Sequence, residues 1–487
     1  MTNVAKVLLG LAALLLFAAA CGGGEKGDRF TIVVDSTADT DARDDGLTLR
    51  EAIRLATGEL APADLSAAEK DNVHGKPGTQ SADVIGFDPK VFPPAQPVAI
   101  TLSETLPSLT SGKDAIDGAE AGAIIDGAGK DFNCLIIESA DNAIHGLQIQ
   151  RCLTALVLRG TASANVIGGP KEGERNVISD SSVAIEIDGT ANVVQGNYLG
   201  TDAPGTASHP NAMEGIWIAP GGRDNVIGGS KPGEGNVISG NALYGINIGG
   251  SNATGNVVKG NYIGVDASGQ KALKNRYGLV LSNGAQSNTI GGTEPGDANV
   301  ISGNQSGGIL IRSADTADNV IIGNFIGTDR TGAMDLGNGN GIWLLEGAHG
   351  HVIGGTETGQ GNVIAFSGII GVLVEGADTG GNTIRGNSIH SNARQGIVSE
   401  EGGNAGLAVP TISAANPVSG TACPNCTIDI YSDPGDEGKV YEGSATADAS
   451  GHFAFEGKTT GPLVTATATD AEGNTSPFSQ PLPAPAQ

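Results

Sequence analysis

The most regular feature of the chain is a short strand spelled four letters at a time. "GIWI" begins at Gly215, "GINI" at Gly245, "GLVL" at Gly278, "GILI" at Gly308, "GIWL" at Gly341 and "GVLV" at Gly371, so the steps alternate between 30 and 33 residues. "ALVL" at Ala155 and "AIEI" at Ala184 extend the series upstream, and "GIVS" at Gly396 closes it. The second and fourth letters are always aliphatic between Gly215 and Gly371, whereas the third varies. Because successive side chains on a strand face opposite sides, this pattern predicts one buried and one outward face. Ile216 and Ile218, Ile246 and Ile248, Leu279 and Leu281, Ile309 and Ile311, Ile342 and Leu344, and Val372 and Val374 form the predicted core columns.

No 3.6-residue period links these strands; the connections are Gly, Asn, Asp, Thr and Ser. Short strands at this interval, without crossover helices, exclude a doubly wound sheet. They predict an all-β solenoid, a parallel β-helix in which each strand pairs with its equivalent one turn away. A longer rhythm overlies the first. "NVIGG" at Asn165 and Asn225, "NTIGG" at Asn288 and "HVIGG" at His351 are spaced 60, 63 and 63 residues apart, two turns per unit. Asn225, Asn256, Asn288, Asn319, His351 and Asn382 follow one another at 31 or 32 residues. One polar residue thus opens a strand in every turn, and stacked amides can hydrogen-bond along the axis. These motifs resemble those of bacterial right-handed parallel β-helix repeat proteins over residues 115–408. The resemblance and the usual hand of parallel crossovers imply a right-handed winding.

A solenoid must close its open strand edges. Upstream, Leu49, Ala52, Ile53 and Ala56 have helical spacing, with Thr48 and Glu51 forming a capping box. "LTLREAI" resembles the CSLREA domain found before such β-helices, with Leu47 and Thr48 in place of that motif's Cys and Ser. Residues 29–114 are read as this one-helix cap with the first coils, and Arg50–Glu51 as cap geometry rather than catalysis. Residues 409–482 alternate apolar and polar positions between turn signals, which predicts an antiparallel β-sandwich resembling bacterial immunoglobulin-like modules. Residues 483–487 form a Pro-rich tail.

Residues 1–20 place Lys6 before "VLLGLAALLLFAAA", a signal-peptide core too short to span a membrane. "AAAC" ahead of "GGGEKGD" resembles a lipoprotein lipobox, with Ala18 where that motif usually has Leu. The resemblance implies acylation of Cys21, a loose Gly-rich tether over 21–28, and an outer-membrane location exposed at the cell surface; secretion is the alternative. Cys423 and Cys426, in "CPNC", predict a local disulfide. Cys134 and Cys152 are either buried thiols or a bridge. The net charge of −26 excludes a nucleic-acid partner, since phosphate binding needs clustered Lys and Arg. A monomer is expected.

Candidate chemistry belongs on the outward third letters: Glu186, Trp217, Asn247, Val280, Leu310, Trp343, Leu373 and Val398. Both tryptophans of the chain, Trp217 and Trp343, share this column, four turns or ~19 Å apart by strand spacing. Such a strip either stacks against sugar rings of a long glycan or is covered by loops or the sandwich. Glu186 with Asp188, and Glu346, Glu375 and Glu400 from three successive turns, are carboxylates suited to glycoside hydrolysis or a Ca2+ site, or are solvated surface acids. Arg312 is the candidate lyase base on this face. The "NTD", "GHG" and "RIK" signatures of polygalacturonases are missing. Asp202, Asp266 and Asp329, some 63 residues apart, are expected to make turns in their own loops; no metal site or required cofactor is assigned. The leading expectation is a lipid-anchored surface protein for display, adhesion or polysaccharide binding. The alternative is a polysaccharide lyase or glycoside hydrolase on the same scaffold.

Overall fold

The computed structural model describes residues 30–78 and 82–484; Cys21 and the leader and tether assigned around it lie outside the described residues. The chain winds into a right-handed parallel β-helix with three strands per coil. Corresponding strands stack into a first sheet of 13 strands, a second of 11 and a third of 10. One coil reads Val226–Gly228 in the first sheet, Val237–Ile238 in the second and Tyr244–Gly249 in the third. Eleven strands in the second sheet imply a stack about 48 Å long at the usual strand spacing.

The "GIxI" strands are the third sheet, and the register is continuous. Ile216 pairs with Ile246, Leu279 follows, then Ile309, Ile342 and Val372. All six are fully buried, as are Ile218, Ile248, Leu281, Ile311, Leu344 and Val374. The first sheet adds Ile227, Val258, Ile290, Ile321 and Ile353, and the second adds Ile238, Ile263, Ile301, Ile326 and Ile364. Branched aliphatics of near-equal volume suit this core because each must fit both the coil above and the coil below.

Polar ladders run along all three corners, where one was expected. In the first, each backbone N–H and side-chain amide donates to Oδ1 one coil on: Asn225 to Asn256, Asn256 to Asn288 and Asn288 to Asn319, at 2.9–3.0 Å. The second runs through Asn176, Asn197, Asn236, Asn261, Asn299, Asn324, Asn362 and Asn387. The third runs through Asn211, Asn241, Asn275, Asn304 and Asn338. These amides satisfy backbone groups that the tight corners leave inside the coil.

The two-turn rhythm comes from side loops. Coils alternate between a loop leaving the first sheet, as at 229–235, and one leaving the second, as at 200–213. Each loop stacks on its like two coils away. A Cβ on Gly296 would lie 1.9 Å from the Ser230 carbonyl oxygen, so glycine alone permits that approach. Ala267 donates its N–H to Gly205 O at 2.9 Å in the other series.

At the N-terminal end, Val73–His74 pairs antiparallel with Phe30–Val34 and closes the first sheet. Helix α1 (Leu49–Ala56) lays Leu49, Ala52, Ile53, Leu55 and Ala56 over the core, with Thr48 and Glu51 in a capping box. Arg50 pairs with Asp39 and donates to the Glu104 and Thr105 carbonyls. A second helix, α2 (Ala67–Asp71), was not expected; it is too short for apolar periodicity, and its one signal is the Ser66–Glu69 capping box.

At the other end, a three-stranded and a four-stranded antiparallel sheet enclose Val418, Ile428, Ile430, Phe453, Phe455 and Val464. The last strand, Leu482–Pro483, runs one residue into the stretch read as tail. This sandwich sits on the final coil. Arg385 forms a bidentate pair with buried Asp429 at 2.7 Å. Gly438 exchanges backbone bonds with Ile389, and Thr475 Oγ1 accepts from Ile384 N–H. Two ladders end on the sandwich: Asn404 donates to Thr475 O, and Asn392 donates to Glu437. Cys134 is bonded to Cys152, and Cys423 to Cys426.

Candidate functional site

The outer face of the third sheet carries the predicted column in unbroken register. Glu186 lies beside Trp217, then come Asn247, Val280, Leu310, Trp343, Leu373 and Val398. Trp217 and Trp343 are half-buried, four coils apart. The aliphatics between them are not an open strip: Val280 is 0% and Leu310 6% exposed. Neighbours 4.8 Å above and below in a flat column shield a short side chain while a large ring still emerges. The face is therefore a low apolar floor between two aromatic rims.

Around Trp217 the floor becomes acidic. Glu186 and Asp188 are joined by Glu214, a residue that the four-letter pattern missed because it precedes the glycine of "EGIWI". Glu214 is 4% exposed, and its Oε1 accepts only a long contact, 3.5 Å, from Asn247 Nδ2. Burial, with Glu186 nearby, raises the Glu214 carboxyl above the usual range. Burial, then Asp188, raises Glu186, and burial raises Asp188. The Asp188 Oδ1 and Asn247 Oδ1 atoms are buried without hydrogen-bond partners. A shallow depression of about 300 Å³ opens at the corner just before these strands, lined by Arg151, Leu153, Asp180 and Ser182. Arg151 is already paired with Asp126.

Around Trp343 the arrangement differs. Its indole N–H donates to Glu375 Oε2 at 3.0 Å, which fixes the ring. Glu375 is in register with Glu400 one coil on. Glu346 does not join them: it follows Leu345 into a turn at φ 57° and is exposed. Arg312 sits in register with Leu345, two residues beyond the Leu310–Trp343 pair. Asn340, on the Trp343 strand, is 6% exposed with an unpartnered Oδ1. Even their nearest members, Glu214 and Glu375, are five coils apart, ~24 Å, so the two groups cannot act on one bond.

Asp202, Asp266 and Asp329 each serve their own loop. Asp202 Oδ1 accepts from Thr206 and Ala207 N–H, and Asp329 Oδ1 from Ala333 and Met334 N–H. Burial pushes both carboxyls up, but the hydrogen bonds together outweigh it and hold them below the usual range. Asp266 binds Ser268 and Lys271 in the same way. Among the described residues no group of three or more His, Cys, Asp or Glu side chains is placed to share a metal ion. The ladder asparagines Asn225, Asn256, Asn288, Asn319 and Asn382 are fully buried.

No protein-family model matches the chain, and no curated protein matches it. Among solved structures it is similar to an alginate lyase from Paenibacillus sp. str. FPU-7, with 12% identity over 77% of this chain and 99% of that one, TM-score 0.37. A tailspike double mutant of E. coli bacteriophage HK620 gives 10% identity over 79% and 68%, TM-score 0.32. The enzymatically active domain of bacteriophage CBA120 tailspike protein 2 gives 11% over 84% and 67%, TM-score 0.32.

Proposed function

We propose that this protein is an exported, lipid-anchored surface protein that holds a long polysaccharide along the outer face of its third sheet. The observation that carries the reading is the pair of half-exposed tryptophans in one column, ~19 Å apart, a span of about four sugar rings. Each is flanked by hydrogen-bonding groups, Glu214 and Asn247 at one and Glu375 at the other. Aromatic faces stack on sugar rings while polar neighbours take hydroxyls. Disulfides support an exported setting, because cytosolic thiols are kept reduced. Acylation at Cys21 and an immunoglobulin-like role for the sandwich as an outer-surface spacer complete this reading, with the protein acting as a monomer closed at both ends.

Affinity electrophoresis through gels containing neutral and acidic polysaccharides tests the binding. The wild type is retarded, and the Trp217→Ala, Trp343→Ala double variant migrates freely. Equal migration of both in every gel refutes the reading. Radiolabelled palmitate incorporated by wild type but not by Cys21→Ser tests the anchor. A second reading, cleavage of the bound glycan, is favoured by Glu186 and Glu214 on adjacent coils, since glycoside hydrolysis needs two carboxyl groups flanking one bond. New reducing ends that disappear in Glu186→Gln mark hydrolysis; retention without new ends marks a binder.

A further inference from the structure

Arg312 is the only Lys or Arg in the ten strands of the third sheet. The chain carries 53 Asp and Glu against 27 Lys and Arg, so a half-buried guanidinium without a counter-ion is unexpected. Yet Arg312 makes no hydrogen bond or ion pair with any described residue. Its Nε is buried and unpartnered, while its Nη atoms, equally without partners, stay open to solvent. Other arginines of this chain show what a settled fork looks like: Arg385 on Asp429 and Arg50 on Asp39 are both bidentate. Glu346, which follows the register partner Leu345, turns away into an exposed turn, and Glu375, two coils on, is committed to the Trp343 indole.

An unpaired buried guanidinium donor is costly unless something outside the chain satisfies it. The planar fork matches a carboxylate with two parallel bonds. Arg312 lies diagonally across from Trp343, since Leu310 is the register partner of Trp343 and Arg312 is two residues further along. At that diagonal, ~7–8 Å across the face, a sugar stacked on the indole presents a ring substituent to the guanidinium. We infer that the Trp343 end of the face is a subsite for an acidic sugar, its carboxylate held by Arg312 while its ring lies on Trp343. The neighbouring carboxylates of Glu375 and Glu400, and the acidic patch at Trp217, repel a second anion close by. The fitting ligand is thus a heteropolysaccharide in which acidic sugars are set among neutral ones.

This inference rests on the polysaccharide-binding reading above. The test uses the full protein with a polymer alternating glucuronate and N-acetylglucosamine, and the same polymer with its carboxylates reduced to alcohols. Titration calorimetry at fixed ionic strength should show tighter binding of the acidic form. Arg312→Met should weaken that form roughly tenfold to a hundredfold, the scale of a charge-assisted pair, and leave the reduced form unchanged. Arg312→Lys, which keeps the charge but not the fork, should fall between. Thermal melts superimposable on wild type establish that the variants are folded. If wild type binds both polymers equally, or Arg312→Met keeps full affinity for the acidic one, the carboxylate subsite is overturned while polysaccharide binding stands. If sulfated dextran but not the glucuronate polymer depends on Arg312, the carboxylate assignment is overturned in favour of sulfate. If no polysaccharide binds at all, both readings fall.

Discussion

His351 interrupts the first ladder, and replacing it with asparagine should stabilise the protein. The imidazole is fully buried. Its Nδ1 accepts the Asn319 N–H at 3.2 Å, which puts the ring proton on Nε2; Nε2 makes no well-formed hydrogen bond, and the Thr316 backbone offers the ring only a weak one. Asn288 donates its side-chain amide both to Ala253 O and to the next rung, whereas Asn319 reaches only Ala285 O. His351→Asn removes a poorly satisfied donor and restores two rungs, against the void left by a smaller side chain. At about 1 kcal/mol for that donor and about 1 kcal/mol for each of the two recovered bonds, less ~1–2 kcal/mol for the void, the net gain is about 1–2 kcal/mol. A pH arm isolates the cause. Burial, with His349 nearby, lowers His351 from its ordinary value of 6.5 to about 3. The unfolded chain therefore binds the proton in a range where the folded protein refuses it, and stability falls as pH drops from 6.5 toward 3. That penalty reaches roughly 3 kcal/mol at pH 4.5 and is absent in the asparagine variant. Urea unfolding followed by circular dichroism should therefore show the variant ahead at pH 7.5, and further ahead at pH 4.5. An equal margin at both pH values, or a less stable variant, refutes the reasoning.

Glu437, buried where the sandwich meets the last coil, is raised by burial and by Asp433 and Asp436 to about 7. Its folded form holds a proton that the unfolded chain releases, so stability is full below about pH 4.5 and is lost as pH rises through 7; melts of wild type should lose roughly 2–3 kcal/mol between pH 5 and 8, and Glu437→Gln should flatten that slope. Leu281→Asp places a carboxylate in the fully buried core and should cost at least ~5 kcal/mol and abolish cooperative unfolding; an unchanged melt refutes the core assignment. Asn261→Ala strands the Asn236 N–H and amide that its Oδ1 now accepts, a loss on the order of 3–6 kcal/mol. A shift under 1 kcal/mol in denaturant midpoint would show that the second ladder is dispensable.

The coil pitch, the inward aliphatics and the first ladder were legible because each recurs at a nearly fixed interval. The second ladder was not, since its rungs fall at alternating separations of 25 and 38 residues, as from Asn236 to Asn261 and on to Asn299. The side loops insert before a different corner in successive coils, which scrambles that spacing without moving the asparagines in space. On the outer face the column order was readable but its depth was not. The burial of Val280 and the seclusion of Glu214 depend on what stands beside them across coils, which a four-residue window does not contain. The pairing of Glu375 with Trp343 and the solitude of Arg312 likewise come from side-chain directions that the pattern leaves free.

The alternation of the side loops imposes a parity rule on how such a molecule can change length. Removing or duplicating one coil would press unlike loops together, with Gly296 no longer meeting the Ser230 carbonyl. Excising or adding a matched pair leaves every loop facing its own kind. The stalk can grow or shrink in steps of about 10 Å, like a ruler cut only at even marks.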